Sequence, residues 1–128
     1  MKNRYFWMLT GSIVLGLAVL MGAFGAHGLK NILTQNNLET FKTGVNYQFL
    51  HGLSILIVAN LPKEIDIKVP NFLFLLGIVL FCGNCYLYSI TQIKTFAMFV
   101  PLGGISFVGA WVLLGTKFAK LLDRKSVV

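Results

Sequence analysis

Four long stretches of this chain contain no acidic or basic residue, and they constrain its fold more than any other feature of the sequence. The uncharged runs cover residues 5–29, 43–62, 69–93 and 95–116. A helix needs about 20 mostly apolar residues to cross the hydrocarbon core of a bilayer, so each run is long enough. Four crossings use most of the 128 residues. The sequence therefore predicts one transmembrane domain, residues 1–128, with helices over about 5–27, 38–60, 71–91 and 95–117.

The composition argues against a soluble domain of this size. Hydrophobic residues make up 56% of the chain and charged residues 12%, and the mean hydropathy is +0.77. A short soluble chain would need much more polar surface. The first run opens with Tyr5, Phe6 and Trp7, and it is longer than the apolar core of a typical signal peptide. These features favour a retained membrane span over a cleaved leader.

The net charge of +7 follows the predicted spans and does not suggest a nucleic-acid surface. Eight of the 11 basic residues would lie on one side of the membrane: Lys2, Arg4, Lys63, Lys68, Lys117, Lys120, Arg124 and Lys125. Lys30, Lys42 and Lys94 are left for the other side. The positive-inside rule then places both termini in the cytoplasm. The predicted fold class is all-α, an integral membrane bundle of four transmembrane helices with up-down topology, because short connections favour antiparallel neighbours.

The most informative stretch is FKTGVNYQFLHGLSILI, residues 41–57, which is uncharged beyond Lys42 and yet rich in polar side chains. At 3.6 residues per turn its residues separate into two faces. One face carries Thr43, Gly44, Tyr47, Gln48, His51, Gly52, Ser54 and Ile55. The other carries Val45, Phe49, Leu50, Leu53, Leu56 and Ile57, with Asn46 as its only polar residue. The first face suits a protein interior and the second suits lipid.

Four residues form the candidate functional polar cluster: His27, Tyr47, Gln48 and His51. Polar groups inside a membrane need partners, so one interpretation is an interhelical hydrogen-bond cluster that fixes the helices together. The other is a small site for a ligand or a proton, because imidazole gains and loses a proton near neutral pH. We expect His51 to turn inward and to join a network with the turn at residues 25–28.

Cofactor sites are not favoured by the remaining motifs. Cys82 and Cys85 have the spacing of a redox or metal pair, but they lie mid-span, where cysteine packs as a small apolar residue. His27 and His51 invite a bis-histidine haem, yet their predicted depths differ by about 10 Å. We therefore predict no catalytic residues, no metal site and no cofactor.

Small residues predict where the first span meets another helix. Gly11, Ala18, Gly22, Gly25 and Ala26 project to one narrow stripe. Such stripes let two backbones approach closely inside a membrane. We expect Gly22 to lie at that contact.

Four motifs occur in order along the chain: GAFGAHGL at 22–29, FKTGVNYQFLHGL at 41–53, FCGNCYL at 81–87 and PLGG at 101–104. Through them the chain resembles the YgdD/YwdK family of small bacterial membrane proteins (domain of unknown function four-two-three). The resemblance implies a four-helix integral membrane protein of uncharacterised function, with no assigned catalytic residues. Cys82 and Cys85 stand where the family pattern has serine, which argues further against thiol chemistry.

The predicted function is a non-enzymatic, multi-pass component of the cytoplasmic membrane with a structural, assembly or interaction role. The alternative is a membrane protein that handles a small molecule, a lipid or protons through His27, Tyr47, Gln48 and His51. A haem or metal carrier is the third hypothesis. The lipid bilayer is the expected partner, with copies of the same chain or other membrane proteins as further candidates and no nucleic acid.

Overall fold

A computed structural model describes residues 2–127, with side chains described to residue 124. The predicted domain limits, Met1 and Val128, lie outside the described residues, and the side chain of Lys125 is likewise not described. The described part of the chain is helical and contains no β-strand. Its four helices are Lys2–Gly28, Gln35–Ala59, Lys68–Thr91 and Lys94–Val127, here called the first to the fourth helix.

Two of these helices contain a segment of wider π-helical winding. The first helix ends in the π-helical turn Phe24–Gly28, and the third is π-helical over Ile78–Gly83. Each of the four helices begins one to three residues earlier than the sequence predicts. The fourth helix extends past residue 117 to Val127, because the apolar run ends there but helix-forming residues such as Lys, Leu and Arg continue.

Local chemistry explains how the helices begin and end. The Thr34 hydroxyl accepts a hydrogen bond from the backbone N–H of Asn37 at 3.3 Å and so caps the second helix. Asp66 Oδ1 accepts from the N–H of Lys68 at 3.2 Å, at the start of the third helix. Gln92 adopts a left-handed conformation, with φ of 60°, and its N–H donates to the Tyr88 carbonyl at 2.8 Å. This tight turn lets the fourth helix begin only two residues later, at Lys94.

Arg4 joins the start of the first helix to the end of the second. Its guanidinium donates to the carbonyl oxygens of Ala59 at 3.0 Å and Leu61 at 2.7 Å. These carbonyls lie at the negative end of the second helix, where a cation is favourable. The sequence indicates Arg4 only as a basic residue that orients the first span, but in the structure it also caps the second helix.

Successive helices pack side by side in opposite directions. The Arg4 bonds pair the start of the first helix with the end of the second. The Tyr86 hydroxyl on the third helix bonds to Gln48 on the second. The Ser106 hydroxyl on the fourth helix donates to the Leu73 carbonyl on the third at 2.7 Å. The second and third helices therefore lie between the first and the fourth.

Three of the four helices are long and apolar enough to cross a membrane: Lys2–Gly28, Lys68–Thr91 and Lys94–Arg124. The second helix is long enough, but it is not apolar enough, because its polar side chains lower its mean hydropathy. Its polar residues Gln48, His51 and Ser54 are buried among the other helices. Large apolar side chains are exposed along all four helices, including Leu20, Leu53, Val79 and Ile105 at 49–68%, as a lipid-facing surface requires.

Glycines mark the closest helix contacts, and Gly22 is not the closest of them. A Cβ at Gly22 would be 3.5 Å from Val45, an ordinary contact, whereas one at Gly11 would be 2.9 Å from Leu56. The tightest approach joins the third and fourth helices, where a Cβ at Gly103 would lie 2.7 Å from Phe81 Cβ and against its backbone nitrogen. Gly22 thus lies against the second helix, as expected from the small-residue stripe of the first helix, but the closest approach on that stripe is at Gly11.

We expect Gly103→Ala to lower the free energy of unfolding by about 1–3 kcal/mol, because the added methyl must displace the Phe81 backbone. Gly115→Ala on the same helix is the matched control, since nothing lies within 4 Å of a Cβ there. That variant should be unchanged or more stable by up to about 1 kcal/mol. Unfolding in detergent measures both, and equal stabilities would contradict the proposed contact.

Candidate functional site

The second helix turns most of its polar face into the protein, as its periodicity predicts. Gln48, His51 and Ser54 are 2–5% exposed. Two glycines permit this burial: a Cβ at Gly44 would be 2.9 Å from the Tyr86 ring, and one at Gly52 would be 2.9 Å from Val14. The third helix therefore packs closely against the second at Gly44, and the first helix does so at Gly52.

Tyr47 is 40% exposed although it belongs to the predicted inward face, and two further residues also depart from the predicted faces. Thr43 is exposed, and its hydroxyl donates to the Glu39 carbonyl of its own helix at 2.9 Å, which satisfies it locally. Val45 is 7% exposed and packs in a core cluster with Leu29, Leu38 and Phe41. Both lie near the start of the helix, where the chain at 29–34 covers one side of it.

Both ring nitrogens of His51 are hydrogen-bonded inside the protein. Trp111 Nε1 lies 3.2 Å from His51 Nε2, and His51 Nδ1 lies 2.9 Å from the Tyr47 carbonyl oxygen. An indole N–H can only donate and a carbonyl can only accept, so Nε2 accepts and Nδ1 carries the proton that it donates. These partners fit one tautomer of a neutral imidazole.

Aromatic rings enclose the His51 side chain, which is 2% exposed. The Phe107 ring stacks on the imidazole at a centroid distance of 3.6 Å and an interplanar angle of 9°. Phe74 lies at 5.6 Å and Tyr47 at 5.9 Å. Together with the Trp111 bond, these contacts fix the ring in position and orientation. We call His51, Tyr47, Phe74, Phe107 and Trp111 the His51 cluster.

Gln48 forms a separate bridge between helices. Its Nε2 donates to the Val14 carbonyl of the first helix at 2.9 Å, and its Oε1 accepts from the Tyr86 hydroxyl of the third helix at 2.6 Å. The Tyr86 ring packs against Phe41 at 4.8 Å. This side chain thus ties three helices together through one amide.

The predicted cluster of His27, Tyr47, Gln48 and His51 is divided in the structure. Tyr47 and His51 lie together, and Gln48 bonds to the first and third helices. His27 is exposed in the π-helical turn, and its side chain has no hydrogen bond to the described residues. The expected network between His51 and residues 25–28 is wrong. A Cβ at Gly25 would meet Phe41, and ten residues of helix separate Phe41 from His51, about 15 Å.

Sequence analysis missed the partners of these polar groups. Trp111 was not among the candidate residues, but its indole N–H supplies the bond to His51. The tendency of a partly buried Trp N–H to find an acceptor was a usable signal. Asn71 was also missed. It is 0% exposed, and neither its Nδ2 nor its Oδ1 has a hydrogen-bond partner among the described residues.

The cysteines and histidines are possible metal ligands, but they do not lie together in the structure. Cys82 and Cys85 are free thiols, 1% and 3% exposed, and they pack where the third helix meets Gly44. Within residues 2–127, no three His, Cys, Asp or Glu side chains are close enough to hold a metal ion. A haem would need His51 to give up its bond to Trp111 and would find His27 exposed elsewhere.

Long helices with apolar surfaces, enclosing a few hydrogen-bonded polar side chains, define a helical membrane protein. Residues 21–104 match the family described as Protein of unknown function (DUF423). The chain belongs to this family. The match covers all four motifs in full and ends with the last residue of PLGG, at 101–104.

Relatives of the chain are named as membrane proteins. UPF0382 membrane protein YwdK of Bacillus subtilis (strain 168) is 36% identical over an alignment of 120 residues, which covers 91% of this chain and 98% of the relative. UPF0382 membrane protein SH2409 of Staphylococcus haemolyticus (strain JCSC1435) is 34% identical over 110 residues, 84% of this chain and 90% of the relative. No solved structure matches the chain.

We expect Trp111→Phe to lower stability by about 0.6 kcal/mol, and by no more than about 2, through loss of the donor to His51. A double-mutant cycle separates this bond from the change in packing. In a His51→Leu background, where no acceptor remains, the same substitution should cost less. Equal costs in both backgrounds, measured by unfolding in detergent, would show that the hydrogen bond contributes nothing.

Proposed function

We propose that this protein is a non-enzymatic integral component of the cytoplasmic membrane, with a structural, assembly or interaction role. The observation that carries the proposal is the bonding of Gln48 and His51, the two buried residues of the candidate polar cluster. Both nitrogens of His51 and both amide atoms of Gln48 are used by other helices or by the protein's own backbone. A catalytic base or a ligand site needs at least one such group to face a substrate.

Four membrane crossings, with both termini in the cytoplasm, are part of this proposal. The charges support it. Arg4 contacts the chain between the second and third helices, and Lys117 lies 3.8 Å from Asp66 in the same region. The basic residues of both chain ends and of 60–67 therefore gather at one end of the protein. Lys30, Lys42 and Lys94 belong to the other end, as the positive-inside rule predicts for a cytoplasmic and an external surface.

Labelling of single introduced cysteines tests the topology. We expect a membrane-impermeant maleimide on intact cells to modify Lys30→Cys and Lys94→Cys but not Lys63→Cys. The unmodified chain is the control, because Cys82 and Cys85 are buried. Labelling of Lys63→Cys without labelling of the other two would reverse the orientation, and labelling of only one of Lys30→Cys and Lys94→Cys would contradict four crossings.

The expected partners are the bilayer and other membrane-embedded helices, including copies of this chain, and no nucleic acid. An apolar groove of about 570 Å³ runs along the fourth helix past Pro101, Gly104, Ile105, Val108, Gly109 and Val112. Small residues on a lipid-facing helix permit close approach of acyl chains or another helix. The basic residues lie at helix ends, where they suit lipid headgroups.

A second candidate function is the handling of protons, lipid or a small molecule at the His51 cluster. One observation favours it: Tyr47 is 40% exposed and Trp111 is 46% exposed, so both walls of the buried imidazole reach the lipid-facing surface. Displacement of the Trp111 indole would uncover His51 Nε2. This site would involve Tyr47 and His51, without His27 or Gln48.

Two substitutions of His51 distinguish the candidates. For a structural role, His51→Gln should lose little stability because it keeps a polar group, and His51→Leu should lose more by leaving the Trp111 N–H without an acceptor. Vesicles containing the wild-type protein and a pH-sensitive dye should then pass protons no faster than protein-free vesicles. Proton flux that is abolished in a stably folded His51→Gln variant would instead establish the second candidate for protons.

A further inference from the structure

A cavity of about 330 Å³ lies where the chain between the second and third helices meets the extended fourth helix. One wall is formed by Glu64, Ile65 and Asp66, and the other by Lys117, Lys120, Leu121 and Arg124. The four residues of the second wall follow the spacing i, i+3, i+4 and i+7, so they share one face of the helix. Its volume lies within the range of about 300–1,000 Å³ that is typical of small-molecule sites.

The two walls carry opposite charges even when the ion pair between Asp66 and Lys117 is left out. Asp66 lies 3.8 Å from Lys117, and its other oxygen accepts the Lys68 N–H at 3.2 Å. Glu64 then remains as the acidic group on one wall. Lys120 and Arg124 remain as the basic groups on the other, and none of the three has an ion pair within the described side chains.

Each wall of the cavity also contributes an apolar side chain. Ile65 is 6% exposed, and Leu121 on the other wall is half-buried. The uncharged run of the fourth helix ends at Thr116, one residue before Lys117. The cavity therefore begins where a membrane-crossing helix leaves the hydrocarbon core and meets the layer of lipid phosphates. A ligand here would have an apolar portion directed toward the membrane and a charged portion directed toward the walls.

We propose that this cavity binds the headgroup of an aminophospholipid of the phosphatidylethanolamine class. Lys120 and Arg124 would bind the phosphodiester, for which the planar guanidinium is well suited. Glu64 would accept hydrogen bonds from the primary ammonium. A trimethylammonium headgroup has no N–H to donate, and a glycerol headgroup has no cation to offset Glu64. The inference rests on the proposed membrane crossing of the fourth helix but not on its orientation, because both leaflets present headgroups.

Native mass spectrometry of the full chain in detergent, titrated with dioctanoyl lipids, tests this assignment. We expect dioctanoyl phosphatidylethanolamine to bind about tenfold more tightly than the phosphatidylcholine and phosphatidylglycerol forms, because one charge-assisted hydrogen bond corresponds to about that factor. Equal affinity for the three lipids would overturn the proposal. Stronger binding of phosphatidylglycerol would also overturn it, by indicating a plain anion site.

Charge-neutral variants assign the two halves of the headgroup. Lys120→Gln with Arg124→Gln should weaken all three lipids by about tenfold or more. Glu64→Gln should remove the preference for phosphatidylethanolamine and leave phosphatidylglycerol binding unchanged or stronger. Lys42→Gln, in a separate cavity at the opposite end of the protein, is the matched control and should leave the preference intact. A preference that survives Glu64→Gln would overturn the role of that carboxylate.

The source of the headgroup is tested by competition with free glycerophosphoethanolamine, which has the same phosphodiester and ammonium groups without acyl chains. Displacement of the lipid by equimolar glycerophosphoethanolamine would overturn a lipid ligand in favour of a soluble one. The cysteine-labelling experiment above is independent of all these measurements. Loss of lipid preference with four crossings intact would thus overturn only this inference, whereas a failed topology would overturn the proposed function.

Discussion

Polar groups in a hydrocarbon environment must find partners within the protein, and most of this structure follows from that requirement. Three side-chain atoms on the second helix meet it through hydrogen bonds that reach all three other helices. Gln48 bonds to the first and third helices, and His51 bonds to Trp111 of the fourth. Each such bond contributes about 0.6 kcal/mol on average in membrane proteins, but an unpaired group would be costly. The bonds thus specify which helices are neighbours more than they add stability.

The helices and the inward polar face of the second helix were predictable from the sequence. The helices follow from the length of the uncharged runs, and the polar face follows from the helical repeat of 3.6 residues. Uncharged runs of about 20 residues mark helices that can cross a bilayer. A repeat of 3.6 residues separates Gln48, His51 and Ser54 from Leu50 and Leu53, and the burial of these side chains follows that separation. The family followed from motifs and is borne out by the match over residues 21–104.

The partners of these residues were not predictable from the same periods. A helical wheel gives the side on which a residue lies, but the neighbour on that side depends on helix crossing angles and on the length of each connection. His51 was therefore assigned to the first helix, although it meets the fourth. The small-residue stripe of the first helix indicates a contact at Gly22, but it does not indicate that the closest approach is at Gly103 on the fourth helix. Arg4 shows a further limit, because a charge that orients a span can also bind a helix end.

The π-helical segment Ile78–Gly83 affects how changes in chain length can be accommodated in the third helix. Such a segment holds one more residue per turn of hydrogen bonding than the surrounding α-helix. Loss of one residue there could be absorbed by a return to α-helical bonding, without breaking the helix. The part of the helix beyond it would then keep nearly the same orientation, because an i→i+4 bond replaces an i→i+5 bond between the same two positions. Tyr86 would still face Gln48, so this segment allows the length of the helix to change while its contacts stay the same.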